Sequence, residues 1–114
     1  MTEDFYCEQV LSGKTKVEKL LETDNILAFY HTRPFWETHI VVIPKRHIAS
    51  LLTLLESDDR LFLELFEAVK KVAAEVVKEK GAARILTNLG TYQESKHLHF
   101  HINSGAQIRP DNHS

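Results

Sequence analysis

Apolar and polar positions alternate most regularly in His97-Leu98-His99-Phe100-His101-Ile102-Asn103. A period of two predicts a strand that buries Leu98, Phe100 and Ile102 and sets His97, His99 and His101 together on its other face. Two earlier runs, Ile26-Leu27-Ala28-Phe29-Tyr30 and His39-Ile40-Val41-Val42-Ile43, have strand length and composition, and the second is apolar enough to be covered on both faces. Val17 to Glu22 reads as a further strand, joined to 26–30 as a hairpin through Thr23-Asp24-Asn25, and Arg84 to Asn88 as another. The middle of the chain follows a different period. Phe62, Leu65, Phe66, Val69, Val72, Ala73 and Val76 recur at helical spacing, with Ser57 as the expected N-cap, Asp58 and Asp59 at the positive end of the helix, and Gly81 as its stop.

The remaining segments are connections. Residues 4–11 predict a short helix or an irregular packed segment, closed by Ser12-Gly13, and Lys45-Arg46-His47 after Pro44 predicts an exposed turn. Leu89 to Lys96 reads as a polar loop, and the tail from Ser104 as partly mobile. The sum is a single α+β domain over 1–114, its core at about 17–103: an antiparallel sheet of about five strands, one long amphipathic helix packed on it, and a short N-terminal helix. The face of the sheet away from the helix is then open for a site or a partner.

Composition narrows the function. At 114 residues the chain holds one modest core, so pairing with a second copy would add useful burial and a homodimer is expected. A formal charge of -2 lacks the basic footprint that long nucleic acids require. The lone cysteine, Cys7, cannot close an internal disulfide, and Met1-Thr2-Glu3-Asp4 has neither the basic nor the apolar region of a signal peptide. Both features point to the cytoplasm. No apolar run approaches the roughly 20 residues of a membrane span.

The histidine row carries the chemistry. Same-face neighbours on a strand sit about 7 Å apart and the outer pair about 13 Å, too far for three rings to share one ion at roughly 2 Å bonds. A polyanion suits such a row better, since neutral imidazole is a nucleophile and base near pH 7 and its N–H groups donate to phosphate oxygens. Were the segment helical, His97 and His101 would lie one turn apart as a two-histidine metal grip, which keeps a metallohydrolase as a third reading.

This alternating strand resembles the signature of the histidine-triad (HIT) family of nucleotide hydrolases and transferases. His39-Ile40-Val41-Val42-Ile43-Pro44-Lys45-Arg46-His47-Ile48 resembles the family's second hallmark, a strand that opens with histidine and leaves through Pro-Lys to another histidine. Asn88 before the triad and Gln93 four residues ahead of His97 stand where the family keeps polar substrate contacts. The resemblance implies attack on the α-phosphate of a nucleotidyl phosphoramidate or dinucleoside polyphosphate, with His99 as the nucleophile that forms a transient nucleotidyl-histidine. It further implies that His101 and His39 flank the phosphate, that His97 orients its neighbours, and that Asn88 and Gln93 donate amide hydrogens to phosphate oxygens. No metal is required for that chemistry, and His101 in place of glutamine favours the hydrolase branches.

Some positions depart from the family pattern. His31 stands where the phosphoramidase branch keeps an acidic residue for the ribose hydroxyls, Asn103 closes the motif in place of an apolar residue, and the short loop 90–96 carries Glu94. Bacterial relatives that this chain resembles hold a structural zinc through two cysteines and two histidines; the matching positions are Asp4, Cys7, His47 and His97, all acceptable zinc ligands. The plainer readings stand beside these: Cys7 as a small buried hydrophobe, His31 and His47 as ordinary turn histidines, Asn88 as a partner for backbone groups. A non-catalytic nucleotide- or zinc-binding module is the alternative to a hydrolase.

Overall fold

A computed structural model describes residues 6–110. A turn of π-helix, Tyr6–Leu11, leads into β1 (Lys19–Glu22), β2 (Ile26–Tyr30) and β3 (Trp36–Pro44). The helix α1 (Asp59–Lys80) and then β4 (Arg84–Leu86) and β5 (Phe100–Gln107) follow. The five strands form one antiparallel sheet in the order β1-β2-β3-β5-β4, so the β-branched run 39–43 is central, as its composition predicts.

Strand alternation sorts side chains onto two covered faces. Ile26 and Ala28 of β2, Ile40 and Val42 of β3, Phe100 and Ile102 of β5 and the preceding Leu98 pack against Leu65, Ala68, Val69, Val72 and Val76 of α1. Leu27, Phe29, Val41 and Ile43 point the other way and pack with Tyr6 and Val10. The face expected to be open is therefore partly roofed by the N-terminal turn, because β2 and β3 are apolar on both sides.

The structure corrects several further sequence expectations. Ser57 does not cap α1: it lies within a 3-10 turn, Glu56–Asp58, and the capping position falls to Asp58, whose carboxylate accepts the Leu55 N–H and pairs with Arg46. Phe66 leaves the core stripe, 53% exposed and stacked on Phe62, while Ala68 takes a buried place. The first of the two terminal strands, expected over 84–88, stops at Leu86. The last strand is displaced from the expected 97–103 to 100–107, because the Leu98 N–H bonds Ile48 O rather than the ladder and the ladder continues past Ser104 to pair Gln107 with Trp36. The supposed tail from residue 104 is thus sheet as far as Gln107. Gly105 at φ +84 allows the bend there, and a Cβ would fall 2.2 Å from Glu37 Oε1.

Among the described residues no helix is long and apolar enough to cross a membrane.

Candidate functional site

The odd-numbered residues 97 to 103 share the face away from α1. His97, His99 and His101 are all buried, and His39 of β3 joins them from the adjacent strand. Tyr6 lies across the row, its ring centre 4.9 Å from that of His99 and 6.0 Å from that of His97. Nothing in the sequence pattern singles out Tyr6; only the folding back of the N-terminal turn brings it there.

Hydrogen bonds fix which nitrogen of each ring carries the proton. A carbonyl oxygen can only accept, so His99 donates Nδ1–H to His97 O at 2.7 Å and its neutral ring keeps the lone pair on Nε2. His97 donates Nε2–H to Pro44 O at 2.7 Å, which leaves its lone pair on Nδ1. On the other side of the row, backbone N–H groups do the donating. Phe35 N–H donates to His39 Nδ1 at 3.1 Å, so His39 holds its proton on Nε2 and donates it to His101 Nδ1 at 2.8 Å. The His101 proton is then on Nε2. The row thus presents a lone pair at His99 beside an N–H at His101.

Burial disfavours the charged form of His39 and His31. Loss of hydration, then the neighbouring His99, lowers His39 from 6.5 to about 4; loss of hydration, then His39 and His99, lowers His31 to about 3. In the unfolded chain these rings take up protons near pH 6.5, which the folded rings refuse until about pH 4 and 3. The unfolded state therefore binds more protons across that window, so their contribution to stability is full above about pH 6.5 and is lost as the pH falls. For His39 it amounts to about 3 kcal/mol. Urea midpoints are expected to fall stepwise from pH 7 to pH 5, with a shallower fall in His39→Gln; equal midpoints at pH 7 and 5 would contradict this.

Two clusters have metal-binding composition, Cys7–His47–His97 and His31–His39–His101, each with one ligand atom per residue within 4.8 Å of the others. Their hydrogen bonds separate them. A metal-bound histidine donates its other ring N–H to an acceptor. His97 does this to Pro44 O, with Nδ1 turned to Cys7 Sγ at 3.2 Å, and His47 Nδ1 lies 3.9 Å from the same sulfur. Tetrahedral zinc sets sulfur and nitrogen ligands about 3.5 Å apart, so this donor set fits it. Asp4, the fourth position matched through the family resemblance, lies outside the described residues. In the second cluster His31 and His39 each accept a backbone N–H at Nδ1, so ligation through Nε2 would demand an imidazolate. That cluster is built to donate.

The remaining sequence candidates are placed less directly. Asn88 is half-buried just beyond β4, and Glu94 is exposed in the loop. Gln93 is buried with its amide nitrogen donating to Ala49 O and Ser95 O, which shapes the loop leading into the row. Asn103 accepts from Arg84 through Oδ1, and its buried Nδ2 has no acceptor among the described residues. Thr87 supports the row from behind by donating to His99 O at 2.7 Å.

Relatives share both sequence and fold. An uncharacterized HIT-like protein of Helicobacter pylori is 38% identical over 101 residues, covering 86% of this chain and 93% of its own length. One from Azospirillum brasilense is 34% identical over 105 residues, covering 90% and 86%. A HIT family hydrolase from Legionella pneumophila superimposes with a TM-score of 0.79 at 29% identity over 96% of this chain and 99% of its own. A histidine triad protein from Clostridium difficile does so with a TM-score of 0.74 at 29% identity, covering 98% of both. Residues 12–108 match the HIT domain family, and the chain belongs to it.

Proposed function

We propose that this protein is a nucleotide hydrolase that acts at the α-phosphate of a nucleotidyl phosphoramidate or dinucleoside polyphosphate, with His99 as nucleophile. One observation carries the reading: the bond from His99 Nδ1–H to His97 O, which holds the ring and places its lone pair on Nε2. The Nε2–phosphorus bond forms as the bond to the leaving group breaks, and the leaving group departs with that electron pair and takes a proton from solvent. His101 Nε2–H donates to a phosphoryl oxygen as charge gathers there, and His39 fixes His101 in that tautomer. Water then attacks phosphorus, returning the neutral imidazole. Asn88 is the polar contact for the substrate beside β4. The hydrolase from Legionella pneumophila, similar over nearly the whole chain, supports the reaction class.

The test is steady-state turnover of adenosine 5'-phosphoramidate and diadenosine polyphosphates, with intact-mass measurement of acid-quenched protein. Product release together with a transient nucleotidyl adduct is expected. Tight nucleotide binding without turnover of any of them would overturn the reading in favour of a binding module.

A structural zinc held by Cys7, His47 and His97 belongs to the same reading. Its place is on the side of the row away from His101, where it would tie the N-terminal turn to the sheet without touching the reacting phosphorus.

A further inference from the structure

His99 stands just before the ladder that carries the rest of its motif. β5 begins at Phe100, which pairs with Val42 of β3, and its last pairing with β4 is His101 with Leu86. The stretch 97–99 is held by other means: Leu98 N–H donates to Ile48 O at 2.6 Å, and the His97 carbonyl accepts the Nδ1–H of the His99 ring at 2.7 Å. The carbonyl of His99 itself is held from the side of β4. Half-buried Thr87, the first residue past that strand, donates its hydroxyl to His99 O at 2.7 Å.

β4 is three residues long and is stapled to β5 by a hydroxyl at each end. At the far end Ser104 Oγ–H donates to Ala82 O at 2.7 Å, and at the near end Thr87 donates to His99 O. The two bonds are alike in chemistry and length, yet only one ends on the residue proposed to attack phosphorus. There it completes a short chain of constraints, from the hydroxyl to the His99 carbonyl, through the His99 backbone to its ring, and from the ring Nδ1–H to the His97 carbonyl. The direction of Nε2 therefore depends on the peptide groups on both sides of His99. Threonine suits this task, since its branched β-carbon restricts χ1 and keeps the hydroxyl in one direction. Asn88, proposed above as a substrate contact, is the next residue, so the same bond ties the substrate's side of the site to the nucleophile's.

Placement matters steeply here, because attack needs the reacting atoms about 3–3.5 Å apart and aligned, and a shift of about 1 Å can cost roughly a hundredfold. We infer that Thr87 is a positioning residue for His99: its hydroxyl holds the His99 carbonyl and so aims Nε2 at phosphorus without touching the substrate. The inference rests on the proposed covalent chemistry.

The experiment measures kcat, KM and the rate of nucleotidyl-adduct formation, per folded protein, on whichever of adenosine 5'-phosphoramidate and the diadenosine polyphosphates wild type turns over. It compares wild type with Thr87→Val, which loses the hydroxyl and keeps the branched shape, Thr87→Ser, which keeps the hydroxyl, and Ser104→Ala, which removes the matching staple at the other end of β4. In Thr87→Val, kcat and the adduct rate are expected to fall about tenfold with KM within about twofold of wild type, whereas Thr87→Ser and Ser104→Ala stay within about threefold of wild type in all three. Thr87→Ala takes the place of Thr87→Val if the latter does not fold. Undiminished kcat in Thr87→Val overturns the inference. So does an equal loss in Thr87→Ser, which assigns the effect to side-chain shape, or in Ser104→Ala, which assigns it to the sheet at large. If wild type turns over no nucleotide, the hydrolase reading fails by itself. Thr87 is then decided by hydrogen exchange of the His99 Nδ1–H in nitrogen-15 NMR spectra. Exchange about tenfold faster in Thr87→Val than in Ser104→Ala supports its role, and equal exchange overturns it.

Discussion

His99→Ala is expected to lower kcat on every substrate by about 10⁴-fold or more, the scale seen when an enzyme loses its nucleophile. The geometry explains why no neighbour should substitute. His101 has its Nδ1 occupied by the His39 proton and its own proton on Nε2, so in the neutral state it presents a donor toward phosphorus. His97 directs Nε2–H to Pro44 O and its lone pair toward Cys7. His99 alone in the row is held by a carbonyl in the tautomer that leaves Nε2 nucleophilic. The nucleotidyl adduct on the quenched protein should vanish together with turnover, while the circular dichroism spectrum stays that of the folded chain. Undiminished turnover in His99→Ala would place the nucleophile elsewhere and end the mechanism given above.

Removal of zinc is expected to destabilise the fold by about 4 kcal/mol when the metal has been present at a thousandfold over its dissociation constant, since a ligand that binds only the native state adds stability in that proportion. The three residues that would hold it, Cys7, His47 and His97, come from the N-terminal turn, the segment after β3 and the approach to β5, so one ion would close long loops at once. Protein purified without chelator should carry close to one zinc per chain by elemental analysis. A chelator should shift its urea midpoint down, and Cys7→Ser or His47→Ala should abolish both the metal and the shift. Metal-free protein with a midpoint indifferent to added zinc would reduce Cys7 to a small side chain beside two histidines.

Much of the fold was legible because its signals are local. Alternation over 26–30, 39–43 and 98–102 and the helical period over 62–76 mark which side chains must leave water together, and the sheet and α1 follow. Local signals misled where a tertiary contact replaced one. Ser57 has the chemistry of a cap, but Asp58 is the residue that reaches Arg46 and the Leu55 N–H. Likewise 97–99 has strand periodicity, yet its Leu98 N–H is taken by Ile48 O. Phe66 fits the helical stripe but stays 53% exposed and stacks on Phe62 instead of entering the core.

By itself the sequence determined that three imidazoles would share one face, on β5 and the stretch leading into it, with His39 nearby, because side-chain direction in extended chain follows parity and a motif is read in order. Only the tertiary structure decided what each imidazole can do. Proton placement depends on carbonyls and N–H groups that the fold delivers, some from far along the chain: Pro44 lies 53 residues from His97, and His39 lies 62 from His101. The same holds for Tyr6 across the row, whose position comes from the N-terminal turn folding back onto the sheet. Residue types set the range of possible chemistry, and long-range hydrogen bonds chose the tautomer, hence the role, of each ring.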